Sequence, residues 1–149
     1  MEEKKITLTG NQIIQLINQE RQKLEEINTR LNALTNMKNE LTGTTQSIQE
    51  ISKNKKGTKM LVYLGSGVYT ETAIENNTDI ITTIADNVFK EKKITEMTKI
   101  LEKRMENIDK ALKKSLEEQA KTIQRINQLE NILEAGKRAI IEKKAKEQA

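Results

Sequence analysis

The sequence carries two long stripes of apolar residues spaced alternately three and four apart, and this spacing most constrains how the chain can fold. The first stripe lies in residues 9–54 and the second in residues 93–146. Such a repeat places each stripe on one side of an α-helix, as in the seam of a coiled coil. The sequence contains no proline that would break either stretch. The pattern therefore predicts two long helices.

Each stripe is continuous in geometry but contains polar residues at positions where a coiled coil is usually apolar. These positions are Glu20, Lys38 and Thr45 in the first stripe, and Ser115, Gln119 and Thr122 in the second. Such residues either make a helix pair flexible or fix its register, and both readings stay open. Thr9 can cap the first helix with its hydroxyl, and Gly57 is a suitable stop after it.

Residues 58–91 separate the two predicted helices and follow another pattern. They hold every aromatic side chain of the protein, Tyr63, Tyr69 and Phe89, among many β-branched residues. Extended segments flank the glycine loop at 65–67 and the pair Asp86-Asn87, and both turns contain residues that accept positive φ. We therefore expect two β-hairpins with four strands.

A compact connector makes the two helices of one chain each other's nearest partners, because closing a short loop costs little. The expected fold is of the α+β class, a long antiparallel two-helix coiled coil with two β-hairpins between the helices. Its parts are a first helix in 9–54, hairpins in 58–91 and a second helix in 93–146. The alternative is a parallel dimer in which a β insert interrupts two separate coiled coils.

The glycine loop also allows a second interpretation. The stretch LGSGVYTE resembles part of a phosphate-binding loop, but it lacks the third glycine of G-x-G-x-x-G and the G-K-[ST] ending. A strand pattern follows it instead of a helix, which favours a hairpin turn. The tyrosines are able to stack on nucleic-acid bases, although aromatic residues on a half-buried sheet usually pack against another sheet.

Several classes of function are disfavoured by residues that the chain lacks. It contains no histidine and no cysteine, which removes the commonest general acid and base, thiol chemistry and the usual zinc ligands. We expect no enzyme activity, no metal and no cofactor. The charged N-terminus and the lack of a long apolar run predict neither a secretory signal nor a membrane span, so a cytoplasmic protein is expected.

The chain is mildly basic, with 26 Lys and Arg against 22 Asp and Glu and a formal net charge of +4. This leaves a nucleic-acid-binding coiled-coil arm, or a structural tether between larger partners, as the alternative function. Neither helix contains a long block of like charges, and the aromatic residues are interleaved with aliphatic ones rather than with Lys or Arg. Both features argue against nucleic acid as a partner.

The order of helix, two hairpins and helix resembles the α-type subunit of prefoldin. The resemblance is most specific in LVYLGSGVY, residues 61–69, and in DIITTIADNVFKEKK, residues 79–93. The chain departs from the family at Ala85-Asp86-Asn87, where a glycine pair is common. The resemblance implies an ATP-independent holdase in which two α-type and four β-type subunits join their hairpins into a double β-barrel. Six coiled coils would extend from it, bind unfolded polypeptides and pass them to a group II chaperonin.

The resemblance also implies that the hairpin strands form the oligomer interface. The residues expected there are Met60, Leu61, Val62, Tyr63, Leu64, Val68, Tyr69, Ile74, Ile80, Ile81, Ile84, Val88 and Phe89.

The unfolded substrate is expected at the free helix ends, where apolar residues exceed what one seam covers. The expected substrate-binding residues are Ile13, Ile14, Leu16, Ile17, Leu129, Ile132, Leu133, Ile140 and Ile141. Of these, we expect Ile14, Leu16, Ile132 and Ile141 to be partly exposed. The other interpretation of all these residues is ordinary packing or fraying of the helix ends.

Overall fold

The chain combines long helices and short strands in the predicted order. A computed structural model describes residues 8–147. The elements are α1 (Gly10–Lys53), β1 (Lys59–Gly65), β2 (Val68–Ala73), β3 (Asp79–Ala85), β4 (Val88–Lys93) and α2 (Ile94–Glu147). β1 pairs with β2, and β3 with β4, as two antiparallel hairpins. The expected α+β arrangement of two hairpins between two helices is confirmed.

The chain divides into two compact units, each of which contains part of both helices. The described part of the first, here called the helical unit, comprises residues 8–34 and 111–147. The second, here called the head unit, comprises Thr35–Lys110 and contains both hairpins.

Helix α1 begins with a reciprocal cap. The Thr9 hydroxyl accepts a hydrogen bond from the Gln12 N–H at 3.3 Å, and the Gln12 side-chain oxygen accepts one from the Thr9 N–H at 2.8 Å. A capping box of this kind satisfies two donors near the helix start, where the first turn has no intrahelical acceptors. The predicted role of Thr9 as a helix cap is confirmed.

Cross-helix ion pairs show the direction of helix pairing in the helical unit. Arg21 Nη2 lies 2.7 Å from Glu130 Oε1, and Arg30 Nη1 lies 3.3 Å from Glu118 Oε2. As residue numbers rise along α1, the numbers of their partners on α2 therefore fall. The two helices of one chain pack antiparallel, as expected, and not as the separate halves of a parallel dimer.

Polar residues occupy the middle of this seam. Ser115 and Thr122 are buried, and Gln119 Nε2 donates a hydrogen bond to Asn28 Oδ1 at 2.6 Å. Ile27, next to Asn28, has no exposed surface. The polar positions therefore face the other helix, and the hydrogen bond between the two amides favours one register of the helix pair.

Glu20 is another polar residue of the seam. Its Oε1 lies 3.1 Å from Arg125 Nε, whereas its Oε2 is buried with no hydrogen-bond partner among the described residues. Removing a carboxylate oxygen from water costs free energy that one ion pair only partly offsets. This layer therefore stabilises the helix pair less than an apolar layer would.

A cluster of apolar side chains joins the helices in the head unit. Ile48 of α1 is buried in one cluster with Ile94, Met97 and Leu101 of α2. The residues packed around it are Leu41, Ile51, Ile80 and Ile100. Because Ile80 belongs to β3, the second hairpin packs against the helix pair. The end of α1 thus meets the start of α2, as the antiparallel direction requires.

Leu101→Ala is expected to lower the free energy of unfolding by about 2–5 kcal/mol, the range for leucine truncation in a packed core. Leu101 is almost fully buried in the cluster of the head unit, so the substitution removes apolar contacts and leaves a cavity. Urea denaturation followed by circular dichroism measures the change. Leu116→Ala, at an exposed position of α2, is the matched control and is expected to change stability by less than about 0.5 kcal/mol. Equal losses for the two variants would contradict the assignment of the core.

Helix α1 ends within one residue of the expected bound at 54, and Gly57 follows it. The last helical residue is Lys53, and Gly57 lies in the following turn with a φ of 87°. Its N–H donates a 2.7 Å hydrogen bond to the Ile74 carbonyl, and the Ile74 N–H donates a 3.0 Å bond to the Thr58 carbonyl. Gly57 therefore closes the base of the first hairpin rather than stopping the helix, because only a residue that tolerates positive φ fits this turn.

The two hairpins repeat the same pairing. Tyr63 lies opposite Tyr69 in the first, and Thr83 lies opposite Phe89 in the second, each followed by a shift of register before the turn. The glycine loop joins β1 to β2 and has positive φ at all three residues, 65–67. It is a hairpin turn, which is the interpretation that the sequence favoured. Asn87, with a φ of 58°, supplies the positive φ in the turn of the second hairpin.

Candidate binding surfaces

The hairpins leave strand edges without partners. Each hairpin is a separate two-stranded sheet within residues 8–147, so every strand has one edge whose N–H and C=O groups pair with no other strand there. Short sheets of this kind are marginal in water and readily accept strands from another chain. The edges are therefore one candidate surface for assembly.

The sides of the hairpins are also apolar and exposed. Of the predicted interface residues, the exposed ones are Leu61, Val62, Tyr63, Leu64, Val68, Tyr69, Ile81, Ile84, Val88 and Phe89. Ile81 is the most exposed of them, at 74%. Met60 and Ile80 are half-buried, and Ile74 is buried beneath the first hairpin. We call the exposed set the hairpin surface.

One aromatic pair gives the first hairpin a defined shape. Tyr63 and Tyr69 are cross-strand partners whose ring centroids lie 5.1 Å apart, and both rings remain more than half exposed. Such a pair adds to the stability of the hairpin, yet it leaves a large apolar area in water. Exposed apolar patches of this kind mark interaction sites in soluble proteins.

Ion pairs close the base of each hairpin. Lys59 Nζ lies 2.7 Å from Glu71 Oε1 in the first, and Lys93 Nζ lies 2.7 Å from Asp79 Oδ1 in the second. The hydrogen bond from Lys93, with a further one from Thr78, lowers the pKa of Asp79, and the carboxylate in turn raises the pKa of Lys93. The pair is therefore fully charged at neutral pH.

The ion pair of the second hairpin leads to a prediction about the pKa of Asp79. Because the pKa of Asp79 is lowered by folding, its stabilising effect is present above the unfolded pKa and is lost as the pH falls through the folded value. Carbon-detected NMR titration is expected to give Asp79 a pKa below the ordinary ~3.9 of aspartate. Lys93→Gln should move that pKa back towards the ordinary value. Lys59→Gln, which breaks the ion pair of the other hairpin, should leave it unchanged, and an equal shift in both variants would contradict the pairing.

The other candidate surface lies where α2 extends past the start of α1. Gly10, the first residue of α1, lies beside Leu133, since a Cβ built on it would be 3.9 Å from Leu133 Cδ1. Helix α2 continues from there to Glu147, and residues 134–147 are exposed throughout. We call the exposed isoleucines at this end of the helical unit the tip surface; they are Ile14, Ile132, Ile140 and Ile141.

The predicted substrate-binding residues fall into three groups. Ile13 and Ile17 are buried in the seam, and Leu16, Leu129 and Leu133 are half-buried. The four residues of the tip surface are exposed, with Ile141 the most so at 67%. Periodicity alone does not separate these groups because both helices place apolar residues on and beside the seam. The packing leaves a smaller set available to a partner than the sequence suggested.

Charges at the tip alternate in sign. Lys137, Arg138, Lys143 and Lys144 are interleaved with Glu134 and Glu142, and Arg138 Nη2 lies 3.1 Å from Glu134 Oε1. Such mixed charge keeps the surface hydrated but forms no continuous basic patch for a phosphate backbone. The tip therefore offers a partner mainly apolar contacts.

The structure also shows a cleft that sequence reasoning missed. It has a volume of about 760 Å³ in the head unit and lies between the helices and β3. Its lining includes Met37, Leu41, Ile81, Met97 and Arg104. Met37 lies off the seam, so helical periodicity gave no reason to single it out.

No helix among residues 8–147 is both long and apolar enough to cross a membrane. The same residues contain no cluster of three or more acidic side chains placed to hold a metal ion.

Comparison with known proteins agrees with this architecture. The family model described as "Prefoldin subunit" matches residues 21–137. The prefoldin subunit alpha of Thermofilum pendens (strain DSM 2475 / Hrk 5) is 26% identical over 85 residues, which is 57% of this chain and 66% of that relative. In the cryo-EM structure of filamentous prefoldin from Methanocaldococcus jannaschii, a chain with 16% identity matches with a TM-score of 0.64. That match covers 76% of this chain and 93% of the other, and it supports the fold.

Proposed function

The chain belongs to the prefoldin family, and on that premise we propose that it is the α-type subunit of a chaperone that holds unfolded polypeptides without ATP. Prefoldin is a family of chaperones and not of enzymes. The observation that carries the proposal is the tip surface, where Ile132, Ile140 and Ile141 are exposed at the end of a helix pair. These side chains can contact the apolar segments that an unfolded chain presents.

Assembly is the role that we propose for the hairpin surface. Unpaired strand edges and exposed apolar side chains occur together there, so a neighbouring subunit can extend the sheet and cover the apolar area in one step. The family suggests a barrel formed by two α-type and four β-type subunits, and the two hairpins of this chain suit the α-type position. Self-association of many copies is the other arrangement that the assay below detects.

Capture then follows from several weak contacts acting together. Each tip surface offers only a few isoleucines, so a single tip binds an apolar segment weakly. Tips carried by one assembly contact different segments of the same unfolded chain, and their combined affinity exceeds that of one tip without any nucleotide. Transfer of the captured chain to a group II chaperonin is the final step of the proposed role, and it rests on family membership alone.

The test is an aggregation assay without ATP. A denatured model protein is diluted into buffer and its light scattering followed with this chain alone, with a β-type prefoldin subunit alone, and with both. Gel filtration with light scattering gives the mass of each complex. We expect a mixed complex that suppresses aggregation more than either subunit does separately. Lack of both assembly and protection would overturn the proposal and favour the tether or nucleic-acid role, for which a salt titration with labelled RNA is the next test.

A further inference from the structure

One segment of α1, residues 42–47, contains four hydroxyl side chains that bond to the helix backbone, whereas Thr29, Thr98 and Thr122 make such a bond singly elsewhere in the two helices. The side-chain hydroxyls bond to carbonyls four residues back, in the pairs Thr42 to Lys38, Thr44 to Glu40, Thr45 to Leu41 and Ser47 to Gly43, at 2.8–2.9 Å. The same carbonyls are the acceptors of the helical N–H bonds, so each is shared between two donors. Back-bonding of this kind weakens and often bends a helix.

The remaining residues add to the weakness. Gly43 is the second residue of the segment, and a Cβ built on it meets no atom within 4 Å, so no close contact requires glycine there. Glycine and threonine both have low helix propensity, and here they occupy four consecutive positions, 42–45. The segment therefore has unusually little intrinsic preference for a helix.

Packing around the segment is also sparse. The half-buried Thr45 occupies the seam between Leu41 and Ile48, where an apolar residue would bind the two helices more firmly. Open space lies on two sides of it. The cleft of about 760 Å³ includes Thr44 in its lining, and a groove of about 450 Å³ towards β1 includes Gly43 and Ser47.

The facing part of α2 lacks the residues that weaken this segment of α1. Met97, Leu101 and Met105 form an uninterrupted apolar stripe, and residues 99–110 contain no Ser, Thr or Gly. Helix α2 also joins β4 directly, since β4 ends at Lys93 and α2 begins at Ile94. Helix α1 reaches β1 through the connector 54–58 instead. The two hairpins are thus attached to helices of different local stability.

We propose that residues 42–47 are a hinge in α1, which opens locally while the facing part of α2 stays helical. The first hairpin is hydrogen-bonded to the connector 54–58 through Gly57 and Thr58, so a change of angle at the hinge moves this hairpin relative to the second one. Motion of this kind adjusts the two hairpin edges to the neighbouring subunits, a consequence that rests on the assembly proposed above. In a hinge, a few residues absorb the φ and ψ changes that such a shift requires.

Hydrogen exchange of the full chain, read by mass spectrometry, tests the hinge. Amides of residues 42–51, which lie in the segment or directly after it, are expected to exchange at least about tenfold faster than amides of residues 99–110 in α2. The triple variant G43A/T44A/S47A removes the glycine and two of the back-bonding hydroxyls at exposed positions. It is expected to slow exchange at 42–51 by about tenfold.

The matched control is G136A. Gly136 also lies within a helix and has no atom within 4 Å of a built Cβ, so the substitution repeats the glycine-to-alanine part of the triple variant at a distant site. We expect it to leave exchange at 42–51 unchanged. Equal protection of 42–51 and 99–110, or an equal effect of the two variants, would overturn the hinge. Exchange is measured on the chain alone, so a failed aggregation assay leaves this result standing, and a failed exchange test leaves the chaperone proposal standing.

Discussion

The double variant L61K/F89K is expected to lose assembly with a β-type subunit while the chain itself stays folded. Both residues belong to the hairpin surface and are exposed, so lysine is solvated in the free chain. In an assembled interface each ammonium group would be buried without a partner, which costs several kcal/mol. We expect association to weaken at least about a hundredfold, equivalent to about 2.7 kcal/mol.

Gel filtration with light scattering measures this loss, and circular dichroism checks that helix content is unchanged. Leu116→Lys is the matched control, because Leu116 is also an exposed leucine but lies on α2 in the helical unit. It should assemble as the parent chain does. Retention of the complex by the double variant would place the interface elsewhere on the molecule, and loss by both variants would point to a general effect of added charge.

The variant I132S/I140S/I141S is expected to assemble normally but to lose most of its protection against aggregation. The three side chains belong to the tip surface, where serine removes apolar area without disturbing the buried seam. Each replacement weakens the contact with substrate modestly. Because the proposed binding uses more than one tip at once, these losses multiply. We expect the concentration of complex needed for half-maximal protection to rise at least about tenfold.

Light scattering of a denatured model protein, with the assembled complex at several concentrations, gives that value. The matched control is L116S/I123S, which makes the same kind of change at exposed apolar residues of α2 away from its end. This control should protect as well as the parent chain. An equal loss in both variants would mean that substrate binds along the helices in general, and an unchanged triple variant would exclude the tip as the capture site.

Much of the fold could be predicted from local patterns. The alternating steps of three and four identified both helices, and the capping role of Thr9 was readable because its hydroxyl precedes the first apolar repeat. The two turns were readable from Gly65 to Gly67 and from Asn87, since positive φ restricts the residue types at those positions. Gly57 was interpreted as a helix stop, but it closes the base of the first hairpin. The sequence does not distinguish the two roles, because both require a residue that accepts positive φ.

The candidate surfaces could be predicted only in part. Ile13 and Ile14 are adjacent and chemically identical, yet one is buried and the other exposed. A rotation of about 100° per residue separates them on the helix, and the direction that faces α2 depends on which residues α2 presents. Ile74 was likewise expected at the oligomer interface, but it follows β2 and is buried where the connector at Gly57 and Thr58 hydrogen-bonds to its backbone.

The sequence by itself determined the elements, their order and the two kinds of apolar surface, because helix periodicity, strand alternation and turn chemistry are properties of neighbouring residues. Only the tertiary structure decided the register of α1 on α2, the length of α2 left exposed beyond Gly10, and the cleft beside Met37. Those features depend on contacts between residues far apart in the chain. Their geometry follows from the packing of complete elements, as in the bond that joins Asn28 to Gln119.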